Sequence, residues 1–506
     1  MKATLIALTA LLGCLSCATP ATTTVRTIQL PEEGSPFIAF NIWVQAGSQD
    51  DPAGKEGLAS LTAQLLAESG TTEDSYEQIL AKLYPLAASY DSSVDKEMTV
   101  FTGEVHKDNL EAFYALLRNA LLSPGFREAD FDRVKAERLN FVQRTRRFSS
   151  DEELGKELLS WEIFKGTPYA HPEEGYVHSV DKLTLDDVRA FYRSHYARNR
   201  IVIGIGGGYP ADFPARVEAD FAKLPESEAA APAKPVPQKI QGMHVLIVEK
   251  NTKATAISFG YPIAALRSDE DFYPLMLANS WLGEHRNSSS HLYQVIRETR
   301  GMNYGDYSYI EAYPMGHRRS MPPTNVSRRQ QIFQIWIRPI SMQTEGDMHD
   351  RALFATRAAL RELKRLVDQG MTQDEFDVSK SFLWNYTVNY GATLGQRLGY
   401  RVDDAFYGIP APGYLAKIRP ELQAMTREDV NQSVRKYLED QNLWLVFITQ
   451  DAEGLKQKLV SGEETPISYP TKKPDSVLEE DKLIQSFPLP LKAEDVEIVK
   501  IGDVFE

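Results

Sequence analysis

The strongest constraint on how this chain can fold is that part of it occurs twice. Glu128-Ala-Asp-Phe-Asp-Arg-Val-Lys135 returns as Gln373-Asp-Glu-Phe-Asp-Val-Ser-Lys380, which puts Phe131 and Phe376 245 residues apart. Leu183-Thr-Leu-Asp-Asp-Val188 returns as Met425-Thr-Arg-Glu-Asp-Val430, with Thr184 and Thr426 242 apart. Two separate matches at nearly one offset argue for two homologous halves rather than one continuous core. The 506 residues, 42% of them hydrophobic, are ample for that. Leu224 to Pro237 is a low-complexity Pro/Ala stretch, the composition of a linker. The expected organisation is a first half over residues 18–224, a linker over 225–238, a second half over 239–463 and a Pro-rich tail over 464–506 that wraps the surface.

Hydrophobic periodicity predicts strands at Arg26–Leu30, Phe37–Val44 and Met98–Val105. It predicts helices at Gly57–Thr71, Ser75–Leu83, Leu110–Leu122 and Glu128–Arg146. Trp161–Val180 reads as loop-rich. Leu183–Tyr196 reads as a helix, opened by Thr184 with Asp187 three residues on, close to a capping box. Asn199–Gly204 is a strand. After the linker the pattern restarts with strands at His244–Val248 and Ala256–Tyr261 and a helix at Phe272–Leu282. Paired strands alternating with long helices make the fold class α+β. The Gly204-Ile-Gly-Gly-Gly208 run is read as a strand-end turn, because a phosphate loop would need a following Lys-Ser/Thr and a helix, and Tyr209-Pro210 follows instead.

The N-terminus carries Lys2, an apolar run from Ala3 to Leu12, then Gly13-Cys14-Leu15-Ser16-Cys17 and a Thr-rich tether. A run of about 10 apolar residues is half of the roughly 20 that a spanning helix needs. Residues 1–17 are therefore expected to be a secretory signal of the bacterial lipoprotein type, with Cys14 or Cys17 acylated. A redox or metal pair at Cys14-x-x-Cys17 would want a βαβ setting that is missing here. Both cysteines of the chain fall in this segment, so a mature body would have neither disulfide nor thiolate metal site. The expected location is the bacterial envelope, lipid-anchored to a membrane and facing the periplasm. A formal charge of −14 argues against nucleic acid as a partner, since phosphate binding needs clustered Lys and Arg.

Leu58, Leu61, Leu65 and Leu66 recur at helical spacing behind the strand Phe37–Val44. This helix, opening on Gly57-Leu58-Ala59, resembles the first helix of the M16 peptidase family (insulinase, pitrilysin, mitochondrial processing peptidase). Ala170-His171-Pro172, Phe191-Tyr192, His195-Tyr196 and the stretch around Arg297 extend the resemblance over roughly residues 25–460. It implies two α+β halves facing each other across a chamber, and an inverted zinc motif H-x-x-E-H immediately after Gly-Leu-Ala. At those three positions this chain has Ser60, Ala63 and Gln64. They share one helical face, yet zinc takes imidazole, thiolate or carboxylate, and none of the three supplies one. The family's third ligand, a Glu on the helix Glu128–Arg146, is replaced by Phe141; Glu137, one turn away, lacks imidazole partners and reads as a solvated helix face. Elsewhere Glu284-His285 and His291 flank a loop-like stretch, His171 and His178 lie in a loop, and His195 sits on a packing helix. The expectation is that this chain binds no metal.

The positive signal is Leu292-Tyr-Gln-Val-Ile-Arg-Glu-Thr-Arg-Gly-Met-Asn-Tyr304, which keeps an Arg-Glu-x-x-Gly-x-x-Tyr frame. The resemblance implies that Arg297 and Tyr304 hold the substrate peptide. A guanidinium and a phenol can both donate to a scissile carbonyl and stabilise its oxyanion; the bland alternative is a salt-bridged surface Arg and a core Tyr. A missing zinc set beside a retained Arg/Tyr pair is what the resemblance implies for one subunit of a two-chain peptidase. The expected function is thus the substrate-holding subunit of a periplasmic heterodimer, acting on peptides, whose homologous partner carries H-x-x-E-H and the zinc. The alternative is a stand-alone peptide-binding or envelope scaffold protein.

Overall fold

The computed structural model describes residues 25–230, 232–316, 318–341 and 348–506; the segment with Cys14 and Cys17 lies outside them. In the first half, β1 (Arg26–Pro31), β2 (Phe37–Val44), β3 (Ser89–Val94), β4 (Thr99–His106) and β5 (Ile201–Gly207) form a sheet in the order β1-β5-β2-β4-β3. In the second, β6 (Met243–Glu249), β7 (Ala254–Ile263), β8 (Asp306–Tyr309), β9 (Gln331–Ser341), β10 (Leu443–Thr449) and β11 (Val496–Lys500) form a sheet in the order β11-β6-β10-β7-β9-β8. Without β11 the two orders are the same, down to the single parallel pair in each, β1 with β5 and β6 with β10. The duplication legible in the sequence is a duplication of topology.

Why those two sequence segments kept their likeness is visible in their contacts. Lys135 donates to the carbonyls of Asp181 (2.6 Å) and Leu183 (2.9 Å), just ahead of the Thr184/Asp187 capping box. Lys380 donates to the carbonyls of Gln423 (3.2 Å) and Met425 (2.9 Å), just ahead of the Thr426/Asp429 capping box. In each half the two conserved segments therefore clamp each other, the lysine satisfying carbonyls that the approach to a helix leaves unpaired.

Each sheet buries one face under helices of its own half. The other face is covered by a helix of the opposite half. Leu154, Leu158 and Leu159 of the first-half helix Asp151–Phe164 pack on Leu246, Val446 and Ile448 of the second sheet. Leu398 and Val402 of the second-half helix Leu394–Tyr407 pack on Ala39, Trp43 and Val100 of the first sheet. Strands covered on both faces read as continuous apolar runs, as β2 and β10 do.

This exchange corrects the reading of the glycine run. Gly204 to Gly207 lie inside β5 and not in a turn. A Cβ on Gly204 would sit 2.5 Å from Val402 Cγ2, and one on Gly206 3.1 Å from Leu394 Cδ1 and 3.5 Å from Leu398 Cδ2. The bare strand face is the seat of the incoming helix. At the matching sixth position of β10 stands Ile448, and there the helix gives way: a Cβ on Gly155 would meet Ile448 Cδ1 at 3.9 Å and Ser258 Oγ at 3.1 Å. The large and small partners have changed sides.

Three further elements differ from expectation. The helix Asp151–Phe164, N-capped by Ser150, runs into the passage expected to be loop. The strand β3 forms from the polar sequence SYDSSV at a sheet edge. The tail does more than wrap: β11 adds in parallel to β6, and Leu489, Leu491, Val504 and Phe505 are buried. The linker region carries no helix or strand among its described residues and is pinned by Arg200 on the carbonyls of Ala229 and Ala230 and by Gln330 on that of Pro235.

Candidate functional site

The opening helix Leu58–Ala67 starts at Gly57, whose φ of 95° lies in the left-handed region. The Asp51 carboxylate accepts from the N–H groups of Gly57 and Ala59, both at 2.7 Å, capping the positive end of the helix. Gly57 must also be bare because a Cβ there would lie 2.5 Å from the Glu174 carbonyl, and Gly175 (φ 81°) faces the Glu56 carbonyl in the same way. The two backbones abut, which fixes Glu174 beside the helix. Leu58, Leu61, Leu65 and Leu66 are buried in the first-half core. The opposite face turns Ser60, Ala63 and Gln64 into an open cavity of about 490 Å³. Glu137, Arg138 and Phe141 close one side of it, Glu174 contributes from the abutting loop, and Ser92, Ser93 and Val94 of the edge strand β3 form its rim. The structure thus gathers Ser60, Ala63, Gln64 and Phe141, scattered over 82 positions of sequence, around one space.

The cation in that space is a guanidinium. Arg138 donates to Gln64 Oε1 at 2.6 Å and stands 3.8 Å from Glu174. Arg146, brought round by the π-helical turn Phe141–Arg146 at the end of the long helix, pairs with Glu174 and Glu157. Burial lowers the pKa of both arginines to about 10, so both stay charged at neutral pH. Gln64 in turn donates to Glu68 (2.9 Å), and Arg133 holds Glu137 (3.1 Å) at the rim. This donor set does not suit zinc. A hydroxyl, a methyl, an amide and a phenyl ring offer no anionic or imidazole ligand, and the amide oxygen that could turn to a metal is engaged by Arg138. Among the described residues no group of three or more His, Cys, Asp or Glu side chains is arranged to hold a metal ion. Ala63 has no group to accept a proton, and the hydroxyl, amide and guanidinium around it can bind and orient a polar ligand.

Arg138, Arg146 and Glu174 were not foreseen from sequence. Along the helix Glu128–Arg146 a ligand motif singles out carboxylates such as Glu137 and passes over arginines. The available signal was the neighbouring residue, an arginine on the same turn as the missing carboxylate.

Arg297 and Tyr304 stay together but lie outside the walls of this cavity, all of which come from the first half. Arg297 belongs to the π-helical stretch Tyr293–Glu298, a geometry that recurs at functional sites. Its guanidinium lies over the rings of Tyr293 (4.7 Å) and Tyr304 (5.5 Å). Tyr304 is 76% exposed, so neither a core Tyr nor a buried anchor describes it; its phenol is presented outward. Five histidines have structural partners. His171 is buried with Nδ1 at 2.9 Å from the Pro172 carbonyl, His195 stacks on Phe191 at 4.2 Å, and His291 pairs with Glu362 at 2.6 Å while stacking on Trp281. His178 meets the Glu506 carbonyl in the tail, and His285 packs among Tyr307, Tyr313 and Trp336.

Comparison with known proteins accounts for the pairing of halves. Residues 27–172 match the family model described as insulinase (peptidase family M16), and residues 182–383 match that described as the peptidase M16 inactive domain. The chain belongs to the M16 peptidase family. It is similar to an M16 relative from Helicobacter pylori described as the non-peptidase homolog YmxG, 23% identical over 394 residues covering 78% of this chain and 84% of that one. It is also similar to an uncharacterized zinc protease of Streptomyces coelicolor, 26% identical over 280 residues, which span 54% of this chain and 60% of the relative. In fold it matches a crystal structure of a peptidase M16 inactive domain from Pseudomonas fluorescens with a TM-score of 0.70 at 21% identity, over 84% of this chain and 95% of that one.

Proposed function

We propose that this chain is the zinc-less, substrate-holding subunit of a two-chain M16 peptidase acting on peptides. One observation carries the reading: the Arg138 guanidinium, bonded to Gln64, lies in the wall of the cavity where the zinc motif would stand, while Arg297 and Tyr304 remain stacked and presented outward. The relative described as a non-peptidase homolog supports the absence of zinc chemistry here. The cavity still suits a peptide. Among the described residues β3 pairs with β4 alone, so its outer edge offers backbone groups to an extended chain lying along the rim. The partner would be a homologous M16 chain with an intact H-x-x-E-H, supplying the zinc and the activated water. The N-terminal sequence supports a lipid anchor at Cys14 or Cys17 and a periplasmic location.

Reconstitution with such a partner tests this. The chain alone should carry no stoichiometric zinc and show no chelator-sensitive hydrolysis, and the complex should show both. Tyr304→Phe should lower kcat of the complex by about 10²-fold, as loss of an oxyanion donor does, without changing subunit association or the partner's zinc content. Arg297→Lys should rescue Arg297→Ala poorly, because an ammonium does not reproduce the planar fork. Full turnover with both residues replaced would remove the reading, and peptide capture without any M16 partner would favour the stand-alone binding protein.

A further inference from the structure

The second half contains its own version of the cavity. The helix Phe272–Gly283 is the counterpart of the opening helix, β8 that of β3, and Tyr390, in the 3-10 turn Thr387–Gly391, follows the counterpart of the helix that carries Arg138. Here the space is about 40 Å³, roughly the room of one water molecule or one small ion. It is narrowed by the connection between β8 and β9. In the first half four residues, 95–98, join β3 to β4; in the second, residues 310–330 join β8 to β9 and put Tyr313 and Pro322 into the cavity wall.

The wall is rich in oxygen and poor in positive charge. Glu284, at the C-terminal and therefore negative end of its helix, is buried; its stabilising contacts are the Ser280 hydroxyl and the His285 N–H, and burial pushes its carboxyl up to about 7. The other wall carboxylate, Glu311, is already neutralised by Arg267 (2.7 and 2.9 Å) and Arg328 (2.6 Å). His285 is neutral, its pKa lowered to about 4 by burial, and its Nε2–H donates to the Arg319 carbonyl at 3.1 Å. Its Nδ1 must then accept, so the Tyr309 hydroxyl, 2.8 Å away, spends its proton there and keeps lone pairs free. Among the described residues, Asn279 Oδ1 and the hydroxyl of Tyr313, the latter only 6% exposed as a residue, are buried with no hydrogen-bond partner.

We propose that this small cavity binds one monovalent cation of the size class of sodium, potassium or ammonium, held by Glu284, Asn279, Tyr309 and Tyr313. One uncompensated carboxyl matches one positive charge, whereas a divalent ion would want several carboxylates. The remaining oxygens replace part of the hydration shell, and the rings of Tyr390 and Tyr414 add their π faces. The ion ties the 310–330 connection, through Tyr313, to the helix end at Asn279 and Glu284. This site is separate from the peptide-holding reading and stands or falls without it.

The test uses the full chain at constant ionic strength in sodium, potassium, ammonium or N-methylglucamine chloride. At least one small cation should raise Tm by about 2 °C or more over N-methylglucamine, since a ligand that binds only the folded state stabilises it. The same salt should slow proteolytic cutting within residues 310–330. Glu284→Gln and Tyr313→Phe should each abolish the increment; should Glu284→Gln fail to fold, Tyr313→Phe and the wild-type salt series still decide. Equal Tm values in all four salts overturn the proposal and leave a water molecule as the occupant. So does an increment that the folded variants retain.

Discussion

The two cavities are the same construction put to different ends. Both lie against the helix that opens a half and that half's edge strand. At the position of Arg138 the second half has Leu383, fully buried; at those of Arg133 and Glu137 it has Val378 and Phe382. One cavity is open and carries an internal cation. The other is narrowed by its own connection and holds Glu284, a carboxyl that pairs with no cation among the described residues. The lesson is that the duplicated scaffold fixes where a cavity forms, while one helix position and one loop length decide whether it is open and what charge it presents.

The largest expected effect comes from undoing the difference at Arg138. The four substitutions Ser60→His, Ala63→Glu, Gln64→His and Phe141→Glu restore a ligand set to the open cavity, but Arg138 would stay beside the ion. A unit charge about 5 Å from a divalent one costs on the order of 6 kcal/mol at an effective dielectric constant near 20. Elemental analysis should therefore find about one zinc per chain only when Arg138→Ala is added. Stoichiometric zinc with Arg138 still present would show that the guanidinium does not govern the site.

Next in size is the 310–330 connection. Arg328 is 4% exposed by side chain and sits in a buried network with Glu311, Asp403 and Arg267. Arg133, on the rim of the open cavity, is 36% exposed and pairs with a half-exposed Glu137. Arg328→Met should cost about 3–5 kcal/mol in chemical denaturation, because it leaves buried carboxylates short of a partner. Arg133→Met should cost about 1 kcal/mol or less. Similar losses would mean that the two surfaces are equally enclosed, and the comparison would fail.

The smallest effect concerns the swapped sizes at the seam. Gly206→Ile overpacks the first sheet against the incoming helix and should cost about 1–3 kcal/mol. Combined with Leu398→Gly, which imitates the Gly155 arrangement of the other seam, part of that cost should return as a coupling energy of about 1 kcal/mol. Strict additivity in the double-mutant cycle would show that the exchanged packing is not reciprocal.

Most of the fold was legible because its signals are local. The capping boxes, the alternation of β4 and the leucine spacing of the opening helix each act within a few residues. The misses share a different cause. Asp151–Phe164 buries most of its residues between the two halves, so it shows little of the one-sided pattern that marks a surface helix. β3 is an edge strand, and SYDSSV lacks the apolar alternation by which a half-buried strand is recognised. The glycines of β5 look like a turn until a helix from nearly 200 residues away is known to rest on them. At the site, the absence of ligands at Ser60, Ala63 and Gln64 was readable residue by residue. What surrounds them was not, since an arginine paired with Gln64 and Glu174 follows no ligand motif.

The traded helices mean that neither half is a folding unit. Residues 25–224 alone would leave the Trp43 face of their sheet in water and send Asp151–Phe164 out with nothing to lie on. Cutting the chain within Leu224–Pro237 would therefore not release two bodies, because the interlocking is done by the helices and not by the linker.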